Sequence, residues 1–174
     1  MDILGMPIRI KPHVYGVYAG LWAALTLFGW LVLDLSLTNA VLGGLACTLG
    51  HQVILVVHHL GHYNAAQSTG YPLREVVFWG LLATDLYPKN EPTLSAAIHR
   101  RRASGGPLAN LALSGVVAVA CLLFYAEASP TVQWVLAFSL VDTFGVFTIG
   151  SFIPGKALGI ETDGDIFLKY WGRA

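Results

Sequence analysis

Charge is what this sequence has least of. Only 11% of its 174 residues are Asp, Glu, Lys or Arg, against about a quarter in an ordinary soluble domain. Ten basic residues offset ten acidic ones. There is no net positive field to gather nucleic acid, or anionic lipid at large. Cysteine is nearly missing as well. Cys47 and Cys121 both lie inside apolar runs, which argues against a disulfide framework. No repeat of 20 to 50 residues is visible and no segment is of low complexity. A signal peptide is not expected, because the first apolar run is too long and lacks a small-residue cleavage site. In place of these, 55% of the chain is hydrophobic and its mean hydropathy is +0.63. A secreted scaffold, a disordered tail and most soluble enzymes are excluded, and a single membrane domain over residues 1–174 is expected.

A transmembrane helix needs about 20 mostly apolar residues, and four stretches qualify: 14–33, 40–62, 105–125 and 131–153. The first carries no charge. The second carries, besides histidines, only Cys47 as an ionisable group, and the fourth holds Asp142 at its middle. The expected fold is an all-α polytopic membrane protein of four transmembrane helices, with no room beyond them for a soluble regulatory domain. The basic residues orient it. Arg9 and Lys11 precede span one; Arg74, Lys89, Arg100, Arg101 and Arg102 lie between spans two and three; Lys156, Lys169 and Arg173 follow span four. The other two connections hold only Asp34 and Glu127. By the positive-inside rule both termini and the central connection face the cytoplasm.

That central connection, residues 63–104, is the least regular part. Gly70-Tyr71-Pro72 reads as a turn. Residues 73–82 are rich in β-branched and aromatic types and predict a short membrane-associated strand or hairpin edge. Residues 93–102 predict a short helix with Thr93 as its cap.

Span two ends in His58-His59-Leu60-Gly61-His62. Residues four apart lie one above the other on a helix, so His58 and His62 can turn two imidazoles toward one metal ion. His51 falls on about the same face. Polar residues near a helix end can merely meet lipid headgroups, but intramembrane ionisable groups are expensive and are functional suspects. Haem or chlorin ligation suits the histidines nearly as well as zinc; His51, His59 or His99 would then be ligands, with the pigment held non-covalently. A third metal ligand has to come from elsewhere. Thr162-Asp163-Gly164-Asp165 lies beyond span four, on the same expected side. Gly105-Gly106-Pro107-Leu108-Ala109-Asn110 opens span three, its small residues suited to close helix contact and its proline to a first helical turn.

These three segments, in this order, resemble the site-2 protease family of intramembrane zinc metalloproteases. That family has HExxH near the end of one core helix. A small-Gly-Pro-x-x-Asn stretch opens the next helix, and an Asn-x-x-Pro…Asp-Gly segment lies in the last. Here the last appears as Ser151-Phe152-Ile153-Pro154 followed by Asp163-Gly164. Gly70-Tyr71-Pro72-Leu73-Arg74-Glu75 is also similar to the family's link into its membrane-associated strands. The resemblance covers roughly residues 45–170. It implies a zinc ion on His58, His62 and Asp163, with water at the fourth position, and Asn110 holding the substrate backbone or a developing oxyanion.

Two departures bear on activity. The family's general-base glutamate is His59 here, and the asparagine of its last motif is Ser151. Loss of a positioned general base typically forfeits about 10²–10⁴-fold in rate. The expectation is therefore an inner-membrane protein of bacterial type, with both termini cytoplasmic and proteolysis lost or impaired. Two alternatives stand beside it: an active protease using His59 as an atypical base on a membrane-protein substrate, and a non-catalytic subunit of a larger membrane complex, with or without zinc.

Overall fold

A computed structural model describes residues 1–155 and 161–173. Lys156, one of the charges used for orientation, lies outside the described residues. The chain opens with β1 (Asp2–Ile3) and β2 (Met6–Ile10), then α1 (Val14–Leu31) and α2 (Leu37–Ser68). Strands β3 (Glu75–Phe78) and β4 (Ala83–Leu86) follow, then α3 (Ala96–Phe124) and α4 (Pro130–Leu140). Helix α4 runs on into a π-helical stretch, Val141–Ile149, and one 3-10 turn, Gly150–Phe152. The short α5 (Asp163–Lys169) comes last. Four of these helical segments, Val14–Leu31, Leu37–Ser68, Ala96–Phe124 and Pro130–Phe152, are long and apolar enough to cross a membrane.

Their faces are distributed the opposite way from those of a water-soluble bundle. Large apolar side chains point outward, Leu122 at 86% exposure and Val116 at 66%, while Thr48, His51, His58, His59, His62, Asn110, Asp142 and Thr143 are buried. This distribution is compatible with an apolar surround, in which hiding leucine brings no reward and helix contact rests on close packing and interhelical hydrogen bonds. The packing is visible where α2 crosses α3. A Cβ at Gly61 would run into the Gly105 carbonyl, and one at Gly105 would meet Ala65 and the Gly61 backbone. Only glycine lets the two backbones approach this closely.

Two spans differ from their expected limits for physical reasons. Helix α2 runs six residues past the last histidine, ending at Ser68 with Gly70 in the left-handed region (φ +78°). Helix α3 starts at Ala96, well ahead of Gly105, and absorbs the expected short helix over 93–102. Pro107 therefore sits inside α3 and not in its first turn. A proline there leaves one carbonyl without its helical N–H, which membrane helices tolerate when neighbours re-satisfy the backbone.

The strand or hairpin edge expected over 73–82 is present as the first strand of a hairpin that runs on to Leu86, with Glu75 opposite Leu86 and Phe78 opposite Ala83. It belongs to a four-stranded sheet of order β1-β2-β3-β4, in which β2 pairs parallel with β3. The two amino-terminal strands have no counterpart in the expected fold; each is too short to show a period of its own. The pairing brings the chain's start and the central connection to the same end of the bundle. A cluster of Met6, Ile8, Val14, Ile54, Leu55, Leu73, Val76, Phe78 and Phe147 seals the sheet against the helices. The carboxy-terminal segment joins that end too, because Arg100 donates to the carbonyls of Tyr170 and Arg173.

Candidate metal centre

The helical repeat of α2 places His58 and His62 one turn apart, with His58 Nε2 and His62 Nε2 separated by 3.0 Å. Asp163 comes to them from α5. Thr162 caps this helix by accepting from the Asp165 N–H, and Asp165 reaches back to the Thr162 N–H. The reciprocal cap fixes the first turn and leaves Asp163 free to face α2. Its Oδ2 lies 3.3 Å from His58 Nε2 and its Oδ1 3.3 Å from His62 Nε2. Burial works against a charged Asp163, yet the imidazoles of His62 and His58 outweigh it and hold the carboxyl well below the usual carboxylate range. Position at a helix N-terminus favours the same anionic form.

The three ligand atoms lie within 4.8 Å of one another. Two imidazoles and one carboxylate match the donor set of three-ligand zinc sites, in which the fourth position stays open. The supporting contacts match as well. His62 Nδ1 is 2.8 Å from the Arg102 carbonyl and donates to it, which turns the lone pair of Nε2 toward the other ligands. Helix α3 packs closely on the two imidazoles. A Cβ on Gly106 would press on His58 Nε2 and Cε1 and on His62 Nε2, so only glycine lets α3 lie this near the ligand atoms.

His59 lies beside the ligands, its ring centroid 5.3 Å from that of His58 and 5.8 Å from that of His62. Its Nδ1 is 2.8 Å from Asp85 Oδ1 on β4. Burial disfavours the charge on Asp85, but His59 and then His62 overcome it and keep this carboxyl below its ordinary range. Asn110 is completely buried, with its amide 3.3 Å from His58 Nδ1. Thr143 Oγ1 donates to the Asn110 carbonyl, and so does Ser114 Oγ.

The remaining histidines of the bundle are also engaged. His51 Nδ1 is 3.0 Å from Asp142 Oδ2, and its Nε2 is 3.0 Å from the Leu81 carbonyl. Asp142, whose charge had no evident partner in the sequence, thus has one 91 positions away. His99 stacks on Tyr170 with ring centroids 4.1 Å apart. Ser151 donates to the Phe147 carbonyl within its own helical segment.

Two further residues of the site went unrecognised in the sequence. Asp85 sits in a strand too short to reveal which face it presents. Arg102 reads as a topology charge, yet it is 5% exposed. It forms an ion pair with Glu91, donates to the Tyr71 carbonyl and lies 4.1 Å over the Tyr87 ring. It therefore pins the central connection to the same turn of α3 whose carbonyl orients His62. A buried arginine of this kind needs several acceptors at once, and the run Arg100-Arg101-Arg102 does not say which member will find them.

Comparison with protein-family models, with curated proteins and with solved structures finds no match for this chain. The site is therefore read from its own geometry.

Proposed function

We propose that this chain is an integral membrane protein of the site-2 protease type that holds one zinc ion on His58, His62 and Asp163, with proteolysis impaired by the loss of its general base. The observation that carries the reading is the convergence of those three ligand atoms from α2 and α5, segments far apart in sequence. The Arg102 carbonyl on His62 supports it, as does the close approach of α3 to both imidazoles at Gly106. Lipid covers the apolar outer faces of the four spans, and the sheet, the central connection and both termini lie on the cytoplasmic side, as the basic residues direct. Zinc bound there would act as a Lewis acid and lower the pKa of a water molecule.

The residues around the ligands explain the impairment. At the position of the missing glutamate, His59 is bound to Asp85 and buried. Asp85, the carboxylate nearest that position, is committed to an imidazole.

A second reading has its own observation. The 2.8 Å contact between His59 and Asp85 is the carboxylate–imidazole pairing that fixes a tautomer and strengthens a base. On this reading the chain is an active intramembrane protease. Cleavage of a tagged transmembrane peptide in reconstituted vesicles separates the two. The first reading expects little cleavage by the native chain and a rise of at least tenfold with His59→Glu. The second expects clear cleavage by the native chain, lost in Asp85→Asn, and no gain from glutamate. Failure of His59→Glu to raise a weak native activity would remove the first reading.

A further inference from the structure

The geometry points to Asn110 as the positioning residue that prepares His58 to bind metal, its side-chain oxygen accepting a hydrogen bond from His58 Nδ1–H. The inference rests on the zinc reading above and extends it to the atoms behind the ligands. A neutral imidazole has one N–H. If His58 Nε2 is to give its lone pair to an ion shared with His62 and Asp163, the proton must sit on Nδ1, and Nδ1 then needs an acceptor. The polar group facing Nδ1 is the Asn110 amide, 3.3 Å away.

Drawn with Nδ2 toward the ring, that amide would set a donor against a donor. It also leaves Asn110 Oδ1 buried without a partner. The two ends of an amide are told apart only by their hydrogen bonds. Rotating the amide by half a turn gives Oδ1 the imidazole proton and removes both faults. The contact then repeats what is already in place one turn along α2, where the Arg102 carbonyl accepts from His62 Nδ1. Because α2 and α3 run antiparallel, residues 58 and 62 meet residues 110 and 102, and a single helix face supplies both acceptors. The hydroxyls of Thr143 and Ser114 on the Asn110 carbonyl hold that turn in place. A fully buried side chain has no surface to offer a substrate, so its effect reaches the chemistry through His58.

Substitutions separate an acceptor from a donor at this position. Asn110→Asp keeps the shape and, when ionised, can only accept. Asn110→Leu keeps the approximate size and does neither. Zinc affinity is measured by competition with a chromophoric chelator on detergent-purified protein at neutral pH, with cobalt(II) absorption as a second readout of ligand geometry. The expected result is a 10- to 100-fold loss of affinity in Asn110→Leu, the range for removing an outer partner of a metal-bound histidine, with affinity largely kept in Asn110→Asp. Equal losses in both variants would show that the amide donates or merely fills space, and would overturn the inference while leaving the zinc centre intact. Should Asn110→Leu fail to fold, Asn110→Ala against Asn110→Asp gives the same contrast. A native chain that binds no zinc, with His58→Ala as the reference for none, overturns the metal reading and this inference with it.

Discussion

Replacing Gly106 with alanine is a perturbation whose ordinary sign is known. Within a helix, glycine costs about 0.5–1 kcal/mol relative to alanine, so the change should stabilise α3 if nothing stands in the way. Here the new Cβ would fall 2.6 Å from His58 Nε2 and closer still to His62 Nε2, where ordinary contact begins at 3.4 Å. The His58 ring must retreat by about 0.8 Å and the His62 ring by more, several times the tolerance of about 0.2 Å in a metal–ligand bond. Overpacking of this size costs about 1–3 kcal/mol, which exceeds the helix gain. Gly106→Ala is therefore expected to lower stability by about 1–2 kcal/mol and to abolish stoichiometric zinc binding. Thermal unfolding in detergent and chelator competition measure the two effects. A variant that is more stable than the native chain and binds zinc as tightly would show that the imidazole positions facing Gly106 are not those the ion needs, and the triad would lose support.

Other consequences are as direct. Removing one partner of a buried ion pair costs about 3–5 kcal/mol, so His51→Ala should destabilise strongly by stranding Asp142 and the Leu81 carbonyl. The double variant with Asp142→Ala should be less damaged than the sum of the singles; additive losses would show that the pair is not coupled. Arg102→Lys keeps the charge but cannot bind Glu91 through two nitrogens as arginine does here. It should lower both the melting temperature and zinc affinity, because the same residue's carbonyl orients His62; a loss of stability with unchanged affinity would separate the two roles. Asp85 has a depressed folded pKa. Its stabilisation is present above its unfolded value of about 3.9 and is lost as pH falls through the lower folded value. The melting-temperature gap between the native chain and Asp85→Asn should therefore be present at pH 5 and close below about pH 4. A gap that widens in acid would reverse the sign.

The parts of this structure that could be read in the sequence are those with a period or a fixed offset. Four apolar runs mark four helices because length in hydrocarbon leaves little choice. His58 and His62 declare themselves because four residues is one helical turn. Limits set by tertiary contact were less legible. Pro107 reads as a helix start, yet α3 begins at Ala96. The amino-terminal strands exist because β3 offers β2 an edge. The segment holding Asp163 was legible from its place beyond span four, but the choice of Asp163 over Asp165 came only through resemblance, since nothing local shows which carboxylate a capped seven-residue helix turns to α2. Asp85 had no such guide. Asp142 finds His51 where the helix widens into π geometry, a local departure that hydropathy does not register.

The central claim, a metal centre built by α2 and α5, is tested most directly by the zinc content of carefully detergent-purified protein, measured by elemental analysis beside His58→Ala. About one zinc per native chain, lost from a variant that still folds, is the result the geometry predicts. A native chain without zinc, and without affinity for added zinc at neutral pH, would contradict it and leave His58, His62 and Asp163 as a buried hydrogen-bonded cluster joining two helices.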